Sequence, residues 1–268
     1  MSETAGTAMK SPHQQPLLQA RRLLQSHRVD EAKQPLSVLA NQRHAPAMHD
    51  LANVLLIEAA DSDPDGRAID WLRRAEALGY APSIYQLAVI SLTDASVALD
   101  WQELTERLQA CCRLRHADAL CDAALLSARH AGTQQRQLGT ALLEAAAMHG
   151  SSTALALLGE RLANGQECQR DPARANSIRR LAAHAGLPVP APDLGFGFAD
   201  AEPSDMPDIP DQLDFSGLPG FVSAPPGQLL EPRITLHSAE GFLSAEECLY
   251  IQCQGAPHLK PSISVDPN

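Results

Sequence analysis

The feature that most constrains the fold of this 268-residue chain is a helical pattern that recurs about every 36 residues. One copy is the AEALG segment of residues 75–79, followed by Leu-Ala at residues 87–88. Another is the AAMHG segment of residues 146–150, followed by Leu-Gly at residues 158–159. Because a fixed period of this length is typical of stacked repeats, it predicts the architecture before any single element is assigned.

Each copy of the pattern contains one turn residue, and these turn anchors stand 36, 36, 35 and 36 residues apart. The turn anchors are Arg43, Gly79, Arg115, Gly150 and Gly186. Eleven residues before each anchor is a mostly small residue that would let two helices approach closely: Ala32, Ala68, Leu104, Gly139 and Ala175. Each unit is therefore predicted to be two antiparallel helices that bury one face against their neighbours.

The composition favours helices, because 44% of the residues are hydrophobic but only 4% are aromatic, and alanine and leucine supply the difference. We predict the first helices of the pairs at residues 28–41, 65–78, 100–114, 134–149 and 171–185. Second helices are predicted at residues 45–58, 81–92, 117–130 and 151–164, and a capping helix at residues 17–25. The predicted fold class is mainly α, an α-solenoid of antiparallel helix pairs.

The AEALG and AAAMHG segments, with the Leu-Ala or Leu-Gly pairs after them, resemble Sel-one-like repeats, which are relatives of tetratricopeptide repeats. The resemblance covers residues 29–187 and is degenerate around Arg43 and Arg115, where the turn glycine is missing. It implies an α-solenoid over residues 14–187 whose concave face binds a protein or peptide partner. The resemblance implies no catalytic chemistry for these repeats.

The charge balance excludes several classes of partner. Lysine and arginine number 21 against 32 aspartates and glutamates, which gives a net charge of −11. Without a basic cluster, neither a nucleic acid nor an anionic membrane is an expected partner. The polar start of the chain lacks the apolar run of an export signal, so residues 1–13 are predicted to be disordered and the protein to be cytoplasmic.

Residues 188–232 form an acidic, proline-rich segment. Ten of these 45 residues are proline and eight are aspartate or glutamate, with no lysine or arginine. This composition predicts an extended, partly disordered linker. Four of the five phenylalanines of the chain lie here, however, and a solvated tether has no use for them. Two alternatives therefore remain open, a loosely collapsed linker and a linker that docks on the solenoid or on the C-terminal segment.

Residues 233–268 change pattern again. Arg233 to His237 reads as a short strand, and Ser244 is a candidate N-cap with Glu247 at the reciprocal position of a capping box. The helix is predicted to end at Gly255, before the prolines at 257, 261 and 267. Because one strand and one helix cannot make a core of their own, this segment is predicted to be part of a larger unit.

Four segments in this region resemble the N-terminal edge of the prolyl 4-hydroxylase-like iron(II)- and 2-oxoglutarate-dependent dioxygenases: residues 232–234, 241–248, 256–262 and 265–267. The resemblance implies an incomplete α/β edge of a double-stranded β-helix domain. Iron(II) and 2-oxoglutarate, with ascorbate as an optional addition, are implied for a complete domain. The His-x-Asp pair, second histidine and basic residue of that family are expected beyond Asn268. No catalytic, cofactor-binding or metal-binding residue is therefore predicted in this chain.

Several histidines are candidate metal ligands by residue type. His116 and Asp118 have the His-x-Asp spacing, but they come after turn anchor Arg115 at a predicted helix N-terminus, where an exposed histidine and a capping aspartate are expected. His44 and His49 are five residues apart and do not share one helix face. The histidines at predicted helix C-termini are expected to interact with the helix dipole: His130, His149 and His184.

The six cysteines lack a C-x-x-C spacing, so they are predicted to be reduced and buried. Cys248 matches a structural position of the dioxygenase resemblance, and Trp71 and Trp101 are predicted to pack within their helices. The sequence supports two functional hypotheses. The first is an interaction scaffold that forms the N-terminal part of a dioxygenase, and the second is a stand-alone adaptor with no enzymatic role.

Overall fold

The computed structural model describes residues 13–58, 66–93, 99–128, 133–201, 205–211, 213–215, 228–231, 236–238 and 243–256. Its helices are α1 (Gln14–Gln25), α2 (Val29–Asn41), α3 (Ala45–Glu58), α4 (Arg67–Glu76), α5 (Ala81–Thr93), α6 (Trp101–Arg113), α7 (Ala117–Ala128), α8 (Thr133–Met148), α9 (Ser152–Asn164), α10 (Pro172–His184) and α11 (Ala245–Gly255). A 3-10 turn lies at Leu194–Phe196, and two strands, β1 (Gln228–Glu231) and β2 (Leu236–Ser238), pair antiparallel.

The nine repeat helices begin and end within two residues of their predicted bounds, and the capping helix α1 begins three residues earlier than predicted. The chain is mainly helical, as predicted. It divides into two compact units, residues 1–111 and 112–268. In the first unit α1 packs on α2, α2 on α3, α3 on α4 and α4 on α5. In the second unit α8 packs on α7 and α9, while α9 also contacts α10 and α11.

Every turn anchor ends a helix in the left-handed conformation. The φ angles are 62° at Arg43, 72° at Gly79, 56° at Arg115, 97° at Gly150 and 79° at Gly186. The hydrogen bonds at Gly79 are typical of the group: its N–H donates to the Glu76 carbonyl at 2.8 Å, and the next N–H donates to the Ala75 carbonyl at 3.1 Å. This paired arrangement satisfies the last carbonyls of the helix and reverses the chain into the second helix.

The small residues of the repeat lie where the helices meet. All five residues that stand eleven positions before an anchor are buried. The residue four positions after each of the first four anchors is 0% exposed: Ala47, Ser83, Ala119 and Ala154. Larger leucines fill the space between, as Leu36 and Leu72 do in the first unit. The alternation of small and large side chains lets adjacent helices pack closely.

The start of the acidic segment is docked on α10. The Asn176 side chain is 1% exposed. Its Nδ2 donates to the backbone carbonyls of Asp193 and Gly197, and its Oδ1 accepts from the Asp193 N–H. Ser177 donates to the Ala199 carbonyl at 2.5 Å. Among the two linker alternatives, docking therefore holds for residues 193–201.

The phenylalanines are not the main cause of this docking. Phe196 and Phe198 remain about half exposed, and each ring lies against an arginine, with the Arg180 guanidinium 4.4 Å from the Phe198 ring centroid. Phe215 is buried, together with Ile209 and Leu213. The predicted linker residues 202–204, 212 and 216–227, including Phe221, lie outside the described residues.

The C-terminal helix forms as predicted. Ser244 Oγ accepts from the Glu247 N–H at 3.2 Å, and the Glu247 carboxylate accepts from the Ser244 N–H at 2.7 Å, which completes the capping box. The strand prediction needs correction. Residues 233–235 lie outside the described residues, β2 covers Leu236–Ser238, and β1 falls inside the predicted linker. Four residues between Gly227 and Pro232 are too short a run to show strand alternation.

The predicted disordered start, residues 1–12, and the end of the predicted dioxygenase edge, residues 257–268, lie outside the described residues. In the described part of the chain, no helix is long and apolar enough to cross a bilayer.

The exposed turn anchor Arg43 gives a test of the left-handed helix ends. Arg43→Gly is expected to raise the free energy of unfolding by about 1 kcal/mol, because the left-handed conformation costs an L-residue roughly 1–2 kcal/mol and the flexibility of unfolded glycine offsets part of the gain. Urea denaturation would measure it. Arg43→Ala, which keeps a Cβ, is the control and should not be more stable than the wild type. Equal stability of the two variants would show that the turn is not strained.

Candidate protein-interaction surface

A buried polar site of the second unit holds α11 against α7 and α9. We call it the helix-binding surface and define it by Asp122 and Ala124 of α7 and Arg161 of α9. The Arg161 side chain is 1% exposed and that of its partner Glu246 is 5% exposed. A guanidinium buried this deeply requires a carboxylate in reach, because an unpaired charge in a protein interior is strongly destabilising.

The contact between Arg161 and Glu246 is bidentate. Arg161 Nε donates to Glu246 Oε1 at 2.5 Å, and Nη2 donates to Glu246 Oε2 at 3.0 Å. Nη2 also donates to the Ala124 carbonyl at 3.3 Å, which ties the guanidinium to α7. The planar fork of arginine favours a coplanar carboxylate, so this pair helps to position the first turn of α11.

Space for the guanidinium comes from Gly139 on α8. A Cβ built on Gly139 would lie 2.4 Å from Arg161 Nη1 and 2.5 Å from Ser127 Oγ. Any side chain at Gly139 would therefore displace the arginine. Arg161 Nη1 is buried and has no hydrogen-bond partner among the described residues, so in that part of the chain only Nε and Nη2 of the guanidinium are hydrogen-bonded, to Glu246 and to the Ala124 carbonyl.

This site was not predicted from the sequence, although the repeat contained a signal for it. Arg161 stands eleven residues after its turn anchor, where the other units have Val54, Ile90 and Leu126. The same unit has Gly139 where the others have alanine or leucine. One unit thus departs from the repeat at two positions, and the structure brings those two positions together. Comparing units at equal offsets would have identified the pair.

A second hydrogen bond anchors the middle of α11. The Tyr250 hydroxyl donates to Asp122 Oδ1 at 2.9 Å. Burial and the negative charge of Asp122 raise the pKa of Tyr250 above its ordinary value, so the phenol stays protonated as a donor. The buried residues Glu246, Leu249 and Cys253 recur at helical spacing on the same side, while Ile251 on the other side is 53% exposed. The face of α11 that packs on the helix-binding surface is therefore a continuous stripe of buried side chains.

A cavity of about 390 Å³ lies beside this contact, between α9, residues 188–190 and α11. Its polar lining includes the Arg161–Glu246 pair itself, and Leu249 contributes to an apolar wall; the other polar lining residues are Glu160, Asn164, Gln166 and Gln252. Glu160 is held by Arg179 of α10 at 2.9 Å. The cavity shows that α11 does not fill all the space next to α9.

The histidine candidates have structural roles. His116 and Asp118 lie at the N-terminus of α7, as predicted, but their roles are reversed: His116 Nδ1 accepts from the Ala119 N–H at 3.5 Å, while Asp118 is exposed in the first turn. Burial lowers the pKa of His116, which favours the neutral, accepting form. A histidine can cap a helix as an aspartate does when its ring nitrogen faces the free N–H groups.

The other histidines do not meet as ligands. His49 Nδ1 lies 3.1 Å from Ser83 Oγ and its Nε2 lies 3.1 Å from Asn53 Nδ2. His184 Nδ1 contacts the Arg180 carbonyl at 2.7 Å, and His130 lies outside the described residues. Within the described ranges, no three His, Cys, Asp or Glu side chains come together as a metal site.

The cysteines are free thiols, and four of the six are buried. Burial raises the pKa of Cys111 to about 12 and raises the pKa of Cys253 as well, so neither thiol is a nucleophile at neutral pH. Trp71 is half-buried and stacks with Arg74. Trp101 is 36% exposed at the start of α6, which is less packed than predicted.

Comparison with known proteins supports the repeat. No family profile and no curated protein sequence matches the chain. A solved Sel1 repeat protein from Oxalobacter formigenes is 20% identical with a TM-score of 0.51, and the match covers 59% of this chain and 65% of that one. An Escherichia coli protective antigen of uropathogenic strains, which displays an SLR fold, is 22% identical with a TM-score of 0.49.

The match with the Escherichia coli antigen covers 58% of this chain and 34% of that one, so the chain spans less than two thirds of either structure. At 20% identity the similarity with the Oxalobacter formigenes protein shows the fold, a Sel1-type helical repeat.

The Arg161–Glu246 pair gives a test of the helix-binding surface. Glu246→Ala is expected to destabilise the docked α11 by about 3–5 kcal/mol, because it leaves a guanidinium buried without its counter-charge. Hydrogen exchange of the α11 amides, from Leu249 to Cys253, would measure the loss of protection.

The control is the apolar double variant Arg161→Met with Glu246→Leu, which should keep most of that protection because it buries no charge. Gln254→Ala, on the exposed side of α11, should leave the exchange unchanged. Undiminished protection of α11 in Glu246→Ala would contradict the role given to the pair.

Proposed function

We propose that this chain is a protein-interaction scaffold whose helix-binding surface receives an amphipathic helix with a carboxylate in its first turn. The observation that supports this proposal is the docking of α11 on the helix-binding surface, where Arg161 and Glu246, 85 residues apart in sequence, form a buried bidentate pair. In this chain the helix bound to the helix-binding surface is the protein's own α11.

The chemistry of the surface makes it selective. A helix without an acidic residue at the position of Glu246 would bury Arg161 unpaired, whereas a matching helix gains two charge-assisted hydrogen bonds. Asp122 adds a requirement for a hydrogen-bond donor one turn further along, which Tyr250 supplies. On the same face of α11, the buried side chains of Leu249 and Cys253 contribute apolar contact. Helix-in-groove recognition of this kind depends on anchors at such spacings.

Docking of α11 favours a scaffold in which the C-terminal segment is a bound tail, which is one of the two forms of the second hypothesis, the other being a vestige. The first hypothesis, that the segment begins a prolyl 4-hydroxylase-like dioxygenase, is a further proposal. It is supported by the resemblance of residues 241–248 and by the capping-box helix that forms there. In that case the helix-binding surface would fasten the oxygenase domain to its substrate-recruiting scaffold, and the hydroxylated group would be a peptidyl proline or a similar side chain.

The helix-binding surface is tested with a fluorescein-labelled peptide of residues 243–256. The full-length chain carrying Glu246→Ala should bind the peptide at least tenfold more tightly than the wild-type chain, because the tethered α11 of the wild type competes at an effective concentration in the millimolar range. Fluorescence anisotropy would measure both affinities.

A matched peptide with glutamine at position 246 should bind the same variant about tenfold more weakly, since it removes the charge that Arg161 requires. A chain with Gln254→Ala should behave as the wild type does. If the peptide with glutamate binds no chain, or if both peptides bind equally well, the surface does not select an acidic helix.

The dioxygenase proposal has a separate test. The message is sequenced beyond the codon for Asn268, and the chain is assayed for succinate formation from 2-oxoglutarate with iron(II). We expect no turnover from residues 1–268 and turnover from a longer product that contains a His-x-Asp pair, a later histidine and a basic residue. A stop codon directly after Asn268 would reject the dioxygenase and leave the scaffold proposal intact.

A further inference from the structure

The first unit brings together two histidines, one at the N-terminus of α1 and one at the N-terminus of α3. His13 is the N-cap residue of α1, and His44 directly precedes α3. The centroids of their rings are 5.4 Å apart. The His13 side chain makes no capping hydrogen bond, and His44 Nδ1 is buried without a hydrogen-bond partner among the described residues. Two groups that take up protons in mild acid therefore lie side by side.

The surroundings of this pair disfavour further positive charge. Each ring lies at a helix N-terminus, where the dipole carries partial positive charge. The Arg21 guanidinium of α1 also repels a proton on His44. Among the described residues, the carboxylate that attracts such a proton is Asp50 of α3, and it already accepts from Arg21 Nε at 2.7 Å and Nη2 at 3.3 Å. The Tyr80 phenol, directly before α5, interacts with Arg21 as well. Asp50 therefore offsets little of the charge that a proton would add.

These neighbours set the sign of the pH dependence. Burial, His13 and Arg21 lower the pKa of His44 below its ordinary value, against a smaller opposite effect of Asp50. The docked form therefore binds the proton less tightly than a form in which the ring is exposed to water. Docking has its full stability while His44 is neutral in both forms, and it loses stability as the pH falls through the ordinary histidine value of about 6.5.

We propose that α1 is an acid-sensitive capping helix, which stays docked on the first unit while His13 and His44 are neutral and is released when they take up protons. Docked α1 packs on α2 and buries Leu17 and Ala20 in the core of this unit. Acid would therefore uncover an apolar surface that α1 covers at neutral pH. The inference concerns the first unit and does not rest on the proposed function of the second.

Hydrogen exchange of the full-length chain tests the release. The α1 amides from Leu17 to Leu24 are compared at pH 7.5 and pH 5.0, after correction for the intrinsic exchange rate at each pH. Carboxylates, with an ordinary pKa of about 4, stay ionised in this range, so histidines are the groups that titrate. Wild-type α1 should lose about fivefold in protection at pH 5.0, because protons bind the released form more tightly.

Protection of α5, from Ile84 to Ala88, is the internal reference and should change less than about twofold. An equal loss in α1 and α5 would mean that the unit unfolds as a whole, and it would overturn the proposal. Full retention of α1 protection at pH 5.0 would overturn it too.

Variants assign the effect to the histidine pair. His44→Asn removes the proton site and keeps a good N-cap residue for α3, so the loss at pH 5.0 should fall to about twofold or less. His13→Asn should reduce the loss only in part, because Arg21 still acts on His44. The matched control is His27→Asn, at an exposed residue in the turn after α1 with φ 57°, which asparagine tolerates. This control should lose protection as the wild type does. A loss in His44→Asn as large as in the wild type would rule out the pair.

An NMR titration of the imidazole signals measures the linkage directly. The pKa of His44 should lie below the ordinary value of about 6.5 and should rise toward it in His13→Asn. An ordinary pKa for His44 in the folded chain would overturn the proposal even if α1 lost protection in acid, because the proton would then bind the docked and the released form equally well.

Discussion

Close approach between helices is the constraint on which this structure depends. A helix pair of about 36 residues buries too little surface to be stable alone, so helix pairs of such a repeat pack against their neighbours. Two features allow it. Small residues at fixed positions, such as Ala68 and Ala119, are 0% exposed at the contacts. The left-handed turn anchors reverse the chain within a few residues, so the second helix returns along the first.

Within this close packing, one offset from the turn anchor holds an aspartate in both compact units. Seven residues after their anchors stand Asp50 in α3 and Asp122 in α7. In the first unit Asp50 accepts from Arg21 of α1 at 2.7 Å, and in the second unit Asp122 accepts from Tyr250 of α11. In each of the two compact units, an aspartate seven residues after a turn anchor thus binds a helix that is not part of the repeat. Asp122 acts together with Arg161, so two polar contacts hold α11.

The repeat could be predicted closely from the sequence, because helix positions, anchors and buried small residues all recur and each copy checks the others. Features that occur only once in the chain were not predicted from the sequence. Arg161 and Gly139 each differ from the residues at the same position of the other repeats, and only the structure shows that the two lie in contact. Docking of residues 193–201 depends on backbone carbonyls that Asn176 reaches, and backbone acceptors leave no mark on the sequence. Strand β1 is too short to show alternation.

The docked segment on α10 has a consequence for the length of the array. Helix α10 is the first helix of a unit that has no second helix, because the prolines at 188, 190 and 192 interrupt the chain. Residues 193–201 pack on α10 instead and satisfy Asn176 and Ser177. An open end of a repeat array is adhesive, since it presents the face that would receive the next unit. With hydrogen bonds to these buried polar side chains, the segment terminates the array and opposes end-to-end growth into filaments.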